Sequence, residues 1–198
     1  PSGIIQYQAR AARVFSPSGH YIRVAREQPQ AVVLDRPALD THLESRAKAA
    51  GAEFIFSSTV YAIDVTRNGV NILADGTKGK KRLKSRAVVM ATGCTPGLNK
   101  LCGLDAAHEL AHGAQAEVAC NDIDEVEIYT GTNTAPGFFA WLVPIGADRA
   151  KVGLLCRGNA VNFLKKLLER LANSGKIIIT DNPVHYGSVP LKPLTRTY

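Results

Sequence analysis

The spacing of apolar residues changes once, abruptly, at Gly51. Before it, Leu39, Leu43, Ala47 and Ala50 recur every three or four residues, the period of a helix with one apolar stripe. Asp35 or Arg36 leads into Pro37, a residue suited to the first helical position. Glu44 and Lys48 stand four apart in the favourable order, and Gly51 suits the C-terminal cap. After Gly51 the period falls to two. Residues 53–56, 59–65 and 70–73 predict strands, with Asn68-Gly69 as the hairpin turn between the last two. Residues 87–91, Ala-Val-Val-Met-Ala, predict a strand buried on both faces. They run into Thr92-Gly93-Cys94-Thr95-Pro96-Gly97, a loop of small residues.

The rest of the chain is mostly β. Residues 4–7, 21–24 and 31–34 are strand-like and separated by turn formers such as Ser16-Pro17-Ser18-Gly19. Further strands are expected at 126–129, 138–143 and 151–155. One helix interrupts them, with Phe163, Leu164, Leu167, Leu168 and Leu171 as its stripe and an end near Gly175. Residues 184–198 predict an extended strand and a connector. The expected class is α+β: a large antiparallel sheet with helices, plus an incomplete α/β portion. At 198 residues, 45% hydrophobic, the chain can bury one core or two small ones.

Several chemistries can be weighed on the same residues. No apolar run approaches the ~18 residues of a membrane span, and the N-terminus lacks the layout of a signal peptide. The absence of an initiator Met suggests a processed or excised piece. Cysteines 94, 102, 120 and 156 include no C-x-x-C pair and read as free, mostly buried thiols of a reducing cytoplasm. The net charge of +7 is concentrated between Lys78 and Arg86. That run could serve phosphates, anionic lipid or nucleic acid. Without interleaved aromatics to stack on bases it reads as a solvated hairpin arm, and no nucleic acid is expected.

The pattern H-E-x-x-H at His108-Glu109-Leu110-Ala111-His112 suggests zinc if it is helical. Gly113 costs a helix ~1 kcal/mol relative to Ala. From Glu109 onward Leu110, Ala114, Ala116, Val118 and Cys120 fall on one parity, as in a strand. A strand would hold the two histidines ~13 Å apart, whereas zinc needs both nitrogens within about 2.1 Å. No third ligand is singled out, although Glu125 and Glu127 are available. A strand and no metal are expected.

The order strand, Asp35-Arg36-Pro37, helix, Gly51-Ala52, strand, hairpin, apolar strand, Ala91-Thr92-Gly93 resembles the central part of flavin-dependent oxidoreductases of the para-hydroxybenzoate hydroxylase fold. Within them it is most similar to the geranylgeranyl reductase family, which is related to electron-transfer flavoprotein–quinone oxidoreductases. Phe139-Ala140-Trp141-Leu142-Val143-Pro144 followed by Gly153 resembles that family's Tyr-x-Trp-x-Phe-Pro…Gly-x-Gly signature, with Leu155 in place of the last glycine.

The resemblance implies FAD as cofactor, with Arg36 against its pyrophosphate and ribose and the Thr92-Gly93 backbone passing close to the dinucleotide. Related hydroxylases carry Asp-Gly where this chain has Thr-Gly. It implies that Phe139, Trp141, Val143, Pro144 and Gly153 line a cavity for an isoprenoid or other lipid; no catalytic residue is assigned. Residues 1–30 and 99–198 would then belong to the substrate domain and 31–98 to a partial FAD-binding portion. The family's G-x-G-x-x-G turn, which holds the pyrophosphate, does not occur here. Its Gly-Asp-Ala-Ala-Gly segment does not follow Pro190-Leu191-Lys192-Pro193-Leu194. The chain is thus expected to be an excised domain or the middle of a split gene, inactive and FAD-free alone, whose parent is a cytoplasmic or membrane-peripheral oxidoreductase. The expected partners are a lipid substrate, a membrane surface and the missing FAD-binding segments. Electron transfer to quinone, and a non-catalytic lipid- or partner-binding module, are the alternatives.

Overall fold

The computed structural model describes residues 3–77, 79–93, 96–104 and 109–192. In chain order the elements are β1 (Ile5–Ala9), β2 (Ala11–Phe15), β3 (Tyr21–Ala25), β4 (Ala31–Leu34), α1 (Arg36–Ala49), β5 (Ser58–Thr66), β6 (Gly69–Gly76) and β7 (Lys81–Ser85). There follow α2 (Pro96–Leu101), β8 (Leu110–Cys120), β9 (Val126–Tyr129), β10 (Ala140–Pro144), β11 (Arg149–Cys156), α3 (Ala160–Asn173), β12 (Ile177–Ile178) and β13 (His185–Pro190). The class is α+β, as expected. The chain divides into two compact units, one of Pro1–Ser45 with Ala111–Val189 and one of Arg46–Leu110 with Pro190–Tyr198.

The first unit is organised by an eight-stranded sheet in the order β12-β8-β11-β10-β9-β2-β3, with β13 also paired to β8. The β2–β9 pair is parallel, and the neighbours around it are antiparallel. A separate antiparallel pair joins β1 to β4. Alternation builds most of the core. Ala114, Ala116, Val118 and Cys120 of β8, Ala140 and Leu142 of β10, and Ala150, Val152, Leu154 and Cys156 of β11 are all buried on one face. The α3 stripe Leu164, Leu167, Leu168 and Leu171 packs into the same cluster. Each such leucine contributes on the order of 1.5–3 kcal/mol. The alanines and cysteines beneath it keep the sheet surface low, so the helix can lie close. Asn159 caps α3, its side-chain oxygen accepting from the Asn162 N–H at 3.2 Å. Burial raises the Cys120 and Cys156 thiols above the ordinary thiol range. They and Cys102 are free, and Cys94 lies outside the described residues.

The second unit contains the antiparallel meander β5-β6-β7. The expected hairpin is present, its two-residue turn being Arg67 and Asn68, with Thr66 opposite Gly69. Val70 and Ala74 are its buried residues.

Three expectations fail for one shared reason. Residues 53–56 and 87–91 form no strand. Phe54, Ile55 and Phe56 are 41–63% exposed, and Val89 is 88% exposed. Helix α1 has the expected bounds, yet none of its residues is buried and Leu43 is half exposed. A run that is apolar at both parities becomes a strand only when neighbours pair with its edges and layers cover its faces. Among the described residues nothing supplies these. Phe54 and Phe56 instead stack on each other at 5.7 Å, with the Lys48 ammonium over both rings.

Candidate functional site

The β10 strand separates its residues by parity. Ala140 and Leu142 enter the core with α3 and Pro144, on the same parity, is buried, while Phe139, Trp141 and Val143 lie toward the opposite face. Pro144 is therefore fully buried on the other side of the sheet from Trp141. Trp141 pairs with Gly153, and Gly153 with Gln115. The indole lies flat across the glycine: a Cβ at position 153 would sit 2.5 Å from Cζ2 and 2.6 Å from Cε2. Reaching over it, the Trp141 Nε1–H donates to Gln115 Oε1 at 3.3 Å. The absent side chain thus creates the seat for the largest residue on this face.

The same row continues the other way through Ile128 of β9, Val14 of β2 and Ile22 of β3. Six adjacent strands, at ~4.8 Å spacing, make a band roughly 24 Å long. Trp141, Ile128 and Val14 are half-buried, and Ile22 is 66% exposed. Phe139 meets Trp141 edge-on at 6.2 Å and is 42% exposed. Polar groups border the band. Lys151 Nζ donates to Gln6 Oε1 at 3.0 Å and lies 3.7 Å from Glu117 Oε1. The chemistry on offer is recognition of a long apolar ligand, with Gln115 a polar group at one end of the row.

The residues assigned to FAD are described one by one. Asp35 caps α1 by accepting from the Ala38 N–H at 3.0 Å, and the Leu39 N–H is bonded to the Asp35 carbonyl. Pro37 has no N–H. Of the helix N–H groups that could face a phosphate, most are therefore used, so an anion here would rely on Arg36 itself. Its guanidinium is 77% exposed and donates from Nε to Asp40 Oδ1 at 2.9 Å, a surface pair that a phosphate can displace. Gly93 has φ +65°, and a Cβ there would meet nothing within 4 Å. Thr92 and Gly93 are exposed. Open space beside a left-handed glycine fits a backbone that a ligand approaches closely.

Beneath the sheet lies a charged group that the sequence reading missed. Glu127 is 3% exposed, and Lys176 Nζ donates to both its carboxylate oxygens at 2.6 and 2.7 Å. The Tyr129 hydroxyl also donates to Glu127. Burial, and then that carboxylate, push the phenol far above its usual range, so Tyr129 stays protonated. Arg170 and Lys176 lie over the Tyr129 ring. The available signal was parity, since Glu127 and Tyr129 share the face that carries the core, where a carboxylate demands a cation.

Glu125 beside it accepts from Arg23, and this hydrogen bond holds its carboxyl below the usual range. A depressed folded value adds stability above the unfolded value of about 4.3 and loses it as pH falls through the folded one. Arg23→Gln is expected to flatten the acid limb of a stability-versus-pH curve below about pH 4; an unchanged limb in acid titration of thermal unfolding would refute this.

The period-two reading of the H-E-x-x-H segment holds from Leu110, where β8 begins; His108 lies outside the described residues. His112 is exposed in that strand, its Nδ1 3.1 Å from Ser188 Oγ. The alternation slips once, because Ala111 is buried rather than Leu110. Glu125 and Glu127 are committed to cations, and no group of three metal-ligating residues occurs among the described residues. No helix of the described residues is long and apolar enough to cross a membrane.

No protein-family model matches the chain. A digeranylgeranylglycerophospholipid reductase of Methanocaldococcus jannaschii is 28% identical over 196 residues, covering 93% of this chain and 50% of the relative. Digeranylgeranylglycerophospholipid reductase 2 of Methanothermobacter thermautotrophicus is 31% identical over 174 residues, covering 81% and 45%. The crystal structure of a geranylgeranyl bacteriochlorophyll reductase-like protein from Thermoplasma acidophilum matches 99% of this chain and 53% of its own, with a TM-score of 0.82 at 21% identity. A flavin-dependent halogenase shares the fold at a TM-score of 0.67 and 15% identity, over 94% of this chain and 38% of its own. The chain spans about half the length of the curated relatives it matches.

Proposed function

We propose that this chain, whose homologues include digeranylgeranylglycerophospholipid reductases of the geranylgeranyl reductase family, is the substrate-side and central portion of a flavin-dependent reductase of isoprenoid double bonds. The observation that carries this reading is the partly exposed apolar row Trp141–Ile128–Val14–Ile22, with the indole seated on Gly153. The indole fills the space over Gly153 and so levels the row, giving an apolar chain a continuous surface to lie along. Residues 1–30 and 99–198 serve the substrate, and 31–98 the flavin side.

When bound, reduced FAD supplies the hydride for one carbon of the double bond, and a proton completes the other. This chain's own residues position and shield. Phe139, Trp141 and Val143 hold the isoprenoid against the sheet and exclude water from it. Gln115 orients Trp141 from below the row's end. Arg36 binds the pyrophosphate or ribose, and Thr92-Gly93 lets the dinucleotide pass.

In the longer protein, Arg36→Ala is expected to weaken FAD retention by about 1.5–3 kcal/mol, the range of a charge-assisted hydrogen bond. Its unfolding midpoint should hardly move, because the side chain is exposed. A flavin titration in which the variant binds as tightly as wild type would remove Arg36 from the site.

A further inference from the structure

The meander of the second unit carries most of the chain's excess charge. Between Ser58 and Arg86 stand seven Lys and Arg against two Asp, which is five of the chain's seven net positive charges. Strand β7 concentrates them at an edge, since among the described residues it pairs only with β6. Lys80, Arg82, Lys84 and Arg86 are exposed and Lys81 is half-buried. None of the five forms an ion pair with a carboxylate among the described residues. Asp64 sits on β5, across β6 from Lys84, and Asp75 lies beside the Lys80 end of the hairpin. Leu83 and Tyr61 add apolar surface, being 38% and 44% exposed.

Charges on an edge strand also prevent edge-to-edge pairing. Either sign serves that purpose, and one or two residues suffice. Five cations in seven positions, with no acid among them, exceed it. Alternation puts Arg82 and Lys84 on one face and Lys81 on the other, so the charge straddles the strand edge. Long aliphatic stems let all of these heads reach one plane. A plane of negative charge is the surface they match. Clusters of four to eight such residues bind anionic lipid, each contributing on the order of 1 kcal/mol.

We infer that the β7 edge, from Lys80 to Arg86, docks the protein on an anionic phospholipid surface. This rests on the reading of the substrate as a membrane lipid.

Flotation of the full chain with vesicles tests the inference. Wild type should float with vesicles of equal parts phosphatidylglycerol and phosphatidylcholine but not with phosphatidylcholine alone. Binding should vanish as salt rises from about 0.1 to about 1 M, where the Debye length falls from ~10 to ~3 Å. Arg82→Gln combined with Lys84→Gln should lower the partition coefficient at least about tenfold, and Lys84→Arg should leave it unchanged. Lys165→Gln with Lys166→Gln, on the exposed face of α3, removes equal charge and should change it less than about twofold. Equal binding to neutral vesicles, an equal loss in the α3 variant, or retention by duplex DNA without vesicle binding would each overturn the inference. Binding that depends on β7 while Trp141 ignores a free isoprenoid would remove the substrate reading and support this surface. A Trp141 response without vesicle binding would remove the surface alone.

Discussion

Lys176→Met is expected to destabilise the chain by about 3 kcal/mol, the low end of the cost of breaking a buried ion pair from one side. The asymmetry of the pair sets the size. Glu127 is 3% exposed and Lys176 32%. Removing the lysine strands a carboxylate beneath the sheet, with Arg13 3.9 Å away as the nearest remaining cation. Removing the carboxylate instead leaves an ammonium that can turn toward water. Glu127→Gln should therefore cost less, about 1–2 kcal/mol, because the amide keeps a hydrogen bond from Tyr129. Urea unfolding of the three proteins measures both values. Equal costs, or a lysine variant within about 0.5 kcal/mol of wild type, would show that Glu127 is solvated rather than held by Lys176.

Gly153→Leu has the second large effect. A Cβ at that position cannot coexist with the indole where it lies, since the nearest ring atoms would be 2.5 and 2.6 Å away. Either Trp141 swings out, losing its bond to Gln115, or the strands separate. Overpacking of this kind costs about 1–3 kcal/mol. Because this is the chain's only tryptophan, the outcome is visible as a red shift of its emission. Trp141→Ala should be far milder alone and should relieve most of the Gly153→Leu penalty in the double variant, a coupling of more than about 1 kcal/mol. Additive costs would mean that the two residues do not touch.

Much of this arrangement was legible in the residues. Period two gave β8 its core parity, whereas Pro144, assigned to the same cavity as Trp141, has the opposite parity on β10 and is buried. The α3 stripe emerged as read, and the hairpin was found with its turn one residue earlier than read, at Arg67-Asn68 rather than Asn68-Gly69. Local signals failed where the deciding partner is not local. Residues 53–56, 87–91 and the α1 stripe have the composition of buried elements, but burial depends on strands and layers that composition cannot supply. At the start of α1 the Asp35 side chain accepts from the Ala38 N–H, a cap that competes with any anion there. Strand β2 escaped notice because its residues are half-buried throughout, without clear alternation. The Lys176–Glu127 contact joins residues 49 apart in sequence, and only the parity of Glu127 hints that a cation must arrive from somewhere.

The claim that the half-buried apolar row is an isoprenoid floor is tested most directly by titrating a long-chain isoprenoid alcohol into the protein and following Trp141 emission. A saturable change is predicted, weakened at least about tenfold by Ile128→Glu, which sets an unpaired charge beside Trp141 in the row. The same change should be absent for a polar alcohol of similar length. No change in emission, or a linear unsaturable drift that Ile128→Glu leaves untouched, would contradict it and return Phe139, Trp141 and Val143 to ordinary sheet surface.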